Sequence, residues 1–246
     1  MSKNISKTEL LNQKSEPIDH LSLADAMYLM IEEQKSAALE VKNASKDIEC
    51  AIEAVYKHLL SNPNGRLIYV GAGTSGRIGV QDGAELFPTF NWPRERTEFF
   101  IAGGFDALLS SIEDAEDDLH SAEKIVNQKL ICNQDVVIGL AASGNTPFTC
   151  RFLEKAKNNK AMTLAISNNP EGKILQYGDL KIILNTGEEV IAGSTRLKAG
   201  TSQKICLNII SSMVMIKMGR VKNGIMNKMV PTNQKLRLRK KLIWKI

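Results

Sequence analysis

Two segments rich in glycine and hydroxyl side chains each follow a short apolar run, and they are the first candidates for chemistry. Residues 71–76 read Gly-Ala-Gly-Thr-Ser-Gly, and residues 141–146 read Ala-Ala-Ser-Gly-Asn-Thr. Glycine lets the backbone approach an anion closely, hydroxyls donate hydrogen bonds, and the first turn of a following helix has free N–H groups. The pattern therefore predicts a site for a phosphate group. The predicted binding residues are Gly73, Thr74, Ser75, Ser143, Gly144 and Thr146.

Two other interpretations apply to these segments. Each could be an ordinary strand-to-helix turn, although the presence of two copies favours binding. Gly71, Gly73 and Gly76 also fit the G-x-G-x-x-G string of dinucleotide-binding proteins. However, no acidic residue ends a following strand about twenty residues later, where a ribose partner is needed, and no Walker lysine is present. A phosphorylated sugar therefore suits these segments better than a dinucleotide.

A third hydroxyl cluster lies at residues 189–198, immediately before a long apolar stretch. Its N–H groups and cations could also serve an anion at a helix start. The predicted ligand-binding residues here are Glu189, Ser194, Thr195 and Lys198. The alternative is that Ser194 and Thr195 only cap the helix.

Two carboxylates are candidates for acid–base chemistry. Glu85 follows the first glycine-rich segment, and Glu116 lies in the acidic run at residues 113–118. Taken alone, that acidic run is more typical of a solvated helix face. Residue chemistry by itself therefore indicates a sugar-phosphate protein with possible acid–base carboxylates.

The elements that must position these residues are short β-branched runs alternating with helical patterns. Predicted strands lie at residues 67–70, 98–102, 136–140, 162–166 and 181–184. Predicted helices begin at Ser22, which has Asp25 in its first turn, and cover residues 38–60, 148–158 and, as a buried helix, 205–218. Continuous apolar strands between helices predict an α/β fold with a parallel sheet covered on both faces. Ligands bind such sheets beyond the carboxyl ends of the strands.

Composition excludes several classes of protein. The net charge is +5, but six basic residues and no acid lie in residues 235–246, so the rest of the chain is close to neutral. This distribution predicts a solvated basic terminal helix and no nucleic-acid partner. The four cysteines are scattered without metal-ligand spacing, which predicts reduced core or near-core thiols and no metal. No secretory signal opens the chain and no apolar stretch is long enough to span a bilayer, so we expect a cytoplasmic protein without a membrane partner.

Several segments together resemble the N-acetylmuramic acid 6-phosphate etherases, which have the sugar isomerase (SIS) fold. The similar stretches are YVGAGTSGRIGVQDGAE, IAGGFDALLSSIEDAEDD, GLAASGNTPF and VIAGSTRLKAGTSQK, continuing through PTNQKLR. They occur in the family's order and spacing, from about residue 19 to the C-terminus.

The resemblance implies a homodimer that needs no cofactor and cleaves the ether between the D-lactyl group and C3 of N-acetylmuramic acid 6-phosphate. The products would be D-lactate and N-acetylglucosamine 6-phosphate, in recycling of cell-wall sugars. The family's two catalytic glutamates fall on Glu85 and Glu116. By resemblance, Glu85 would donate a proton to the departing lactate and Glu116 would remove the C2 proton, while Glu189 matches a glutamate that SIS isomerases use. The alternatives are another SIS enzyme, such as an isomerase, or a non-catalytic sugar-phosphate sensor.

The resemblance also sets the expected organisation of the chain. Residues 1–60 should form an N-terminal arm and helices, residues 61–220 the SIS domain, and residues 221–246 a short basic segment. Family members usually continue with a further helical region, so a shortened C-terminal region is expected here. If a helix starts near Gly76, then Glu85 lies about 13 Å along it from the phosphate end. A hexose 6-phosphate does not span that distance comfortably. Either the helix bends or breaks early, or Glu85 serves a phosphate held by other loops, and the second alternative predicts an active site assembled from two subunits.

Overall fold

A computed structural model describes residues 6–12, 16–112, 114–231, 234 and 237–238. Within them, five strands form one sheet: β1 (Leu67–Gly71), β2 (Thr97–Ile101), β3 (Val136–Ala141), β4 (Met162–Ser167) and β5 (Leu180–Ile183). All neighbouring strands are parallel, in the order β2-β1-β3-β4-β5. The predicted parallel sheet is therefore confirmed, and the ends of each predicted strand lie within one residue of the observed ends.

Helices cover both faces of this sheet. They are α1 (Leu23–Asn43), α2 (Ser45–Ser61), α3 (Gly73–Ala84), α4 (Leu86–Phe90), α5 (Leu119–Gln128), α6 (Pro147–Asn158) and α7 (Lys198–Lys217). Side chains alternate along β1, so Leu67 and Tyr69 join a core with α2 and α7, whereas Ile68 and Val70 join a core with α5 and α6. A strand that is apolar on both faces is thereby buried on both faces.

The N-terminal helices differ in one respect from the prediction. The Ser22 start is confirmed, because Oγ of Ser22 accepts the N–H of Asp25 at 3.2 Å. The single helix predicted over residues 38–60 is wrong, since α1 runs to Asn43 and α2 begins at Ser45. Ala44 joins them without any proline or glycine, and the apolar pattern continues across the break. α1 packs against α7, and α2 packs against α7 and the sheet.

The long helix α7 is buried on one side only. The buried helix predicted over residues 205–218 is confirmed on one side of α7, whereas Ile209, Met213 and Ile216 on the other side are 37%, 41% and 42% exposed. α1, α2 and α3 cover only part of the circumference of α7, so this apolar side is left exposed by the described residues.

The cysteine prediction also needs one correction. Cys150 and Cys206 are buried, and burial raises the pKa of these thiols to about 11 and about 12. Cys50, however, is exposed on α2, because it lies on the side of the helix that faces away from the sheet. The basic helix predicted over residues 235–246 lies almost wholly outside the described residues, and the division of the chain at residues 60 and 220 stays a prediction.

The order of the strands places a topological switch point at the carboxyl end of β1. β1 lies between β2 and β3 in the sheet. The connection after β1 leads to β2 on one side, and the connection after β2 brings the chain back to β3 on the other side. Gly71 at the end of β1 is in register with Leu140 near the end of β3. In open parallel sheets, such a switch between neighbouring strands is where ligands bind, beyond the carboxyl ends.

At the amino ends of the strands, an ion pair joins the starts of β1 and β3. Nε of Arg66 donates to Oδ1 of Asp135 at 3.0 Å, and Nη2 of Arg66 donates to Oδ2 at 2.6 Å. The backbone N–H groups of Arg66 and Cys132 also donate to Asp135. Burial alone would raise the pKa of Asp135, but these hydrogen bonds hold it below its usual value.

We expect Asp135→Asn to lower the free energy of unfolding by about 3 kcal/mol at neutral pH, because Arg66 loses its bidentate partner. A carboxyl with a lowered pKa stabilises the fold above the ordinary aspartate pKa of about 3.9, and this stabilisation is lost as the pH falls through the lowered value. The difference from wild type in urea unfolding should therefore shrink below about pH 4. Glu98→Gln is the control, because Glu98 also bonds Arg66 but is more exposed. Equal losses for the two variants would contradict this interpretation.

Candidate active site

The first glycine-rich loop presents hydrogen-bond donors at the start of α3. Ala72 occupies the N-cap position, and its methyl group cannot accept a hydrogen bond. The N–H groups of the first turn are therefore not capped by this side chain. The hydroxyls of Thr74 and Ser75 make no hydrogen bond with any residue that the structure describes. Gly73 has a φ of +50°, in the left-handed region that favours glycine. The loop therefore offers several donors to one small volume.

The second loop repeats this arrangement between β3 and α6. Thr146 precedes α6 but its side chain makes no cap hydrogen bond, and Pro147 occupies the first turn. Oγ of Ser143 accepts the N–H of Asn145 at 3.2 Å. Gly144 has a φ of +72°, and a Cβ placed there would lie 2.4 Å from Cα of Gly172. Only glycine fits at this point of the loop, which lies beside the first loop because β1 and β3 are neighbours.

The third hydroxyl cluster is built around Glu189. Its two carboxylate oxygens accept the N–H groups of Lys198 at 3.1 Å and Ala199 at 2.9 Å. Glu189 is buried, and this burial raises the pKa of its carboxyl above the usual value although the two N–H donors act in the opposite direction. Glu189 therefore caps α7. The alternative that Ser194 or Thr195 caps this helix is wrong, because neither hydroxyl bonds to any described part of the chain.

Lys198 was expected to contact the ligand, and its side chain has a different partner within the chain. The ammonium group is buried and forms an ion pair with Glu33 of α1. Next to it, Thr201 donates to the side chain of Gln34 at 2.5 Å. A phosphate contact by Lys198 would require the pair with Glu33 to open, so this role stays a prediction.

The three clusters lie together at the carboxyl ends of the strands. A Cβ placed on Gly200, in the first turn of α7, would lie 3.3 Å from Cγ2 of Thr74. The start of α7 therefore touches the first loop, whose neighbour is the second loop. Thr74, Ser75, Thr146, Ser194 and Thr195 all bring hydroxyls to this region that have no partner among the described residues.

Glu116 is placed at the start of α3 by a short 3₁₀ turn, Ala115–Asp117. A Cβ placed on Gly73 would lie only 3.3 Å from Oε1 of Glu116. Asp114, Asp117 and Asp118 are exposed, and Asp118 caps α5 by accepting the N–H of Ser121 at 2.8 Å. The structure thus brings Glu116 against the first loop, whereas Asp118 serves the start of α5.

Glu85 lies at the other end of the same helix. α3 is continuous from Gly73 to Ala84, and Glu85 follows it as an exposed residue before α4. Twelve residues of helix separate Gly73 from Glu85 by about 18 Å. Within one chain, the two predicted catalytic glutamates are therefore at opposite ends of α3, and the structure does not bring them together.

A buried polar network below the loops was not predicted. Asn168 follows β4, and its side chain donates to Oγ of Ser202 at 2.8 Å and to the carbonyl of Leu184 at 3.0 Å. Gln203 donates to Oδ1 of Asn168 at 2.9 Å. The network holds the first turns of α7 against the ends of β4 and β5. Polar residues directly after a buried strand were the signal, as they were for the two loops.

The described residues include no group of histidine, cysteine or carboxylate side chains that could hold a metal ion. None of the helices in the described part of the chain is both long enough and apolar enough to cross a membrane.

Comparison with known proteins identifies the class of this fold and site. The family model for the glucokinase regulatory protein N-terminal SIS domain matches residues 48–157. Phosphoheptose isomerase from Neisseria gonorrhoeae superposes with a TM-score of 0.59 over 80% of this chain and 100% of that one, at 19% identity. A Bacteroides fragilis protein provisionally named a phosphosugar isomerase has a TM-score of 0.62 over 84% and 97%, at 15% identity. The chain is a SIS-fold protein.

Curated relatives then narrow the class to one family. An N-acetylmuramic acid 6-phosphate etherase from Lactobacillus johnsonii is 44% identical over 93% of this chain and 76% of its own length. Etherases from Pasteurella multocida and Bacillus cereus are 40% and 41% identical, over 96% and 99% of this chain and 78% and 82% of their own lengths. The chain belongs to the N-acetylmuramic acid 6-phosphate etherase family, as the sequence predicted.

We expect Glu189→Gln to lower the free energy of unfolding by about 1–3 kcal/mol, because the amide accepts only one of the two buried N–H groups and directs its own donor at the other. The measurement is urea unfolding followed by circular dichroism. Glu188→Gln is the matched control, since Glu188 makes no hydrogen bond or ion pair with a described residue, and it should change stability by less than about 0.5 kcal/mol. If Glu189→Gln were as stable as this control, the cap would not stabilise the fold.

Proposed function

We propose that this protein cleaves the D-lactyl ether of N-acetylmuramic acid 6-phosphate, releasing D-lactate and N-acetylglucosamine 6-phosphate in cell-wall sugar recycling. The observation that carries the proposal is 40–44% identity to etherases over 93–99% of this chain. The position of Glu116 beside the first loop supports it.

The chemistry explains why carboxylates are needed. An ether oxygen is a poor leaving group, so direct hydrolysis is slow. Opening the sugar ring to an aldehyde makes the C2 proton acidic, so a base can remove it while the lactyl oxygen leaves C3 with help from an acid. Water then adds to the resulting double bond. This carbon–oxygen lyase reaction needs one carboxylate and one carboxylic acid, and it requires no cofactor or metal.

The two glycine-rich loops hold the phosphate in this proposal. α3 and α6 both start without a side-chain cap, and the hydroxyls of Ser75 and Thr146 have no partner among the described residues. Free N–H groups and hydroxyls at a helix start suit an anion. Glu116 then lies on the sugar side of the phosphate and is the base for the C2 proton. The roles of Ser143 and Gly144 are to shape the second loop.

Glu85 is the proton donor to the departing lactate, and it acts on a substrate held by a second copy of the chain. A hexose 6-phosphate is much shorter than α3, so Glu85 cannot reach a sugar whose phosphate lies at the start of its own helix. In this proposal the chain forms an isologous homodimer in which the end of one α3 lies near the start of the other.

Exposed apolar side chains support a second copy of the chain. Leu23, Met27, Tyr28 and Ile31 of α1 are each at least half exposed and follow one another at helical spacing. α7 leaves the further apolar side described above. Apolar surface of this extent is typical of a protein–protein interface.

We further propose that the protein acts in the cytoplasm. The charge of a sugar phosphate makes unaided passage through a bilayer very costly, so such a substrate is confined to the compartment that makes it.

A non-catalytic sugar-phosphate sensor is the second candidate. The matched SIS domain of glucokinase regulatory protein favours it, because that protein's name describes a regulator. A single assay separates the two candidates: incubation of purified protein with N-acetylmuramic acid 6-phosphate, followed by measurement of D-lactate. An etherase releases lactate, whereas a sensor binds the sugar phosphate and releases none.

We expect Glu85→Gln to lower the rate of lactate release by about 10²- to 10⁴-fold while sugar-phosphate binding is retained, because the amide keeps the shape but cannot donate the proton. Binding is measured by calorimetry with N-acetylglucosamine 6-phosphate. Glu95→Gln serves as the control, since Glu95 is also exposed but lies in the connection to β2. Turnover near that of wild type in Glu85→Gln would remove Glu85 from the mechanism.

The shared site predicts complementation between two inactive variants. Glu85→Gln and Glu116→Gln affect opposite ends of α3, so a heterodimer of the two retains one intact site of its two. Random pairing makes half of the dimers mixed, and the mixture should therefore recover about a quarter of wild-type activity. Mixed dimers isolated with two different affinity tags should have about half of wild-type activity. No recovery in verified heterodimers would show that each site belongs to one chain.

A further inference from the structure

We infer that Arg77 is a positioning residue that holds the segment carrying Glu116 in place for catalysis. The inference rests on the proposed function, because it concerns the base of that reaction. Arg77 lies in α3, directly after the first glycine-rich loop, and none of the roles assigned above uses it.

The contacts of Arg77 are all with the backbone of one segment. Its Nε donates to the carbonyls of Ala107 at 3.1 Å and Leu108 at 3.2 Å, and Nη2 donates to the carbonyl of Ser110 at 3.1 Å. No carboxylate of the described residues pairs with this guanidinium group. The planar fork of an arginine can hold several acceptors at once in a fixed geometry, which the single ammonium of lysine cannot do.

This segment has few other attachments to the body of the protein. Among residues 105–112 only Ala107 is buried, and Phe105 and Leu109 are 78% and 88% exposed. The other described hydrogen bonds of residues 107–110 are internal turns, such as those from Leu109 and Ser110 to the carbonyl of Asp106. Hydrophobic burial therefore contributes little, and the hydrogen bonds to Arg77 are its main polar attachment to α3.

Arg77 lies on the same side of α3 as Gly73, the residue next to which Glu116 is placed. Gly73 and Arg77 are four residues apart, a spacing that places them next to each other on a helix surface. Gly73 faces Oε1 of Glu116, and Arg77 binds the chain a few residues before Glu116. The first turns of α3 therefore contact this segment at both of its ends. Because Glu116 is exposed and has no hydrogen bond of its own to a described residue, its position depends on that backbone. Arg77 holds this backbone before Glu116, and Ala115, which packs against α6, holds it next to Glu116.

Arg77→Lys and Arg77→Ala test the role. Misplacing a catalytic group by about 1 Å can cost about 100-fold in rate, so we expect kcat to fall by at least about tenfold in both variants. KM should change by less than about twofold, because the phosphate loops stay intact. Added guanidinium ion should restore part of the activity of Arg77→Ala. In the Glu116→Gln background, Arg77→Lys should cause no further loss, because the residue through which it acts is already absent.

Arg96→Lys is the matched control. Arg96 also donates to three backbone carbonyls, those of Leu59, Asn62 and Gly65. These contacts lie at the amino ends of the strands, away from the candidate site. It should lower the melting temperature and leave kcat unchanged below that temperature. A rise in KM with unchanged kcat for Arg77→Lys would overturn the inference, since Arg77 would then bind the ligand directly. Losses that multiply in the Glu116→Gln background, or a profile identical to that of Arg96→Lys, would also overturn it.

Amide hydrogen exchange tests the same inference without any reaction. Arg77→Lys should speed exchange in residues 107–118, whereas Arg96→Lys should leave those residues unchanged. Unchanged exchange in Arg77→Lys would contradict the positioning role even if wild-type protein released lactate. Absence of lactate release from wild type would instead contradict the proposed function, and the exchange result would still decide whether Arg77 orders the segment.

Discussion

The continuity of α3 is the constraint on which the rest of the site depends. The helix rises by about 1.5 Å per residue, so its twelve residues fix the distance between the loop at its start and the glutamate at its end. Its last turn is held in place by Asp82, a buried carboxylate that accepts hydrogen bonds from Tyr69 at 3.0 Å and from Asn208 at 2.6 Å. The helix therefore behaves as a rigid spacer between β1 and α7. One chain cannot bring Glu85 to the first glycine-rich loop without breaking this packing.

The carboxyl edge of the sheet combines rigid and open parts. Below the surface, Asn168 joins the ends of β4 and β5 to α7 through hydrogen bonds that are completely buried. Above it, the hydroxyls of Thr74, Ser75 and Thr146 have no partner in the described part of the chain. Groups that are satisfied within the protein are fixed, and groups that are not remain available to a ligand. This division is typical of a preformed binding site.

Much of the fold could be predicted because the strands are continuous apolar runs and the loops after β1 and β3 repeat the same residue types. The end of α1 could not, since Ala44 is no helix breaker and the apolar spacing continues into α2. The pair between Lys198 and Glu33 joins residues 165 positions apart, and the cap that Glu189 provides depends on how the chain folds back on α7. Such contacts cannot be recognised from the spacing of residue types in the sequence. The closeness of Glu116 to Gly73 is of the same kind, and only the family resemblance had linked these two segments.

The cap on α7 has a consequence for how charge is distributed around a bound sugar. A helix start carries about half a positive charge, and a full carboxylate placed on it leaves a net negative potential there. The start of α6 has no carboxylate in its first turn and remains positive, whereas the start of α3 has Glu116 beside Gly73. An anionic ligand is thus attracted most strongly to the start of α6 and repelled from the start of α7. The hydroxyls of Ser194 and Thr195, beside the start of α7, are consequently suited to the uncharged part of the sugar, so the electrostatic field orients the ligand before any hydrogen bond forms.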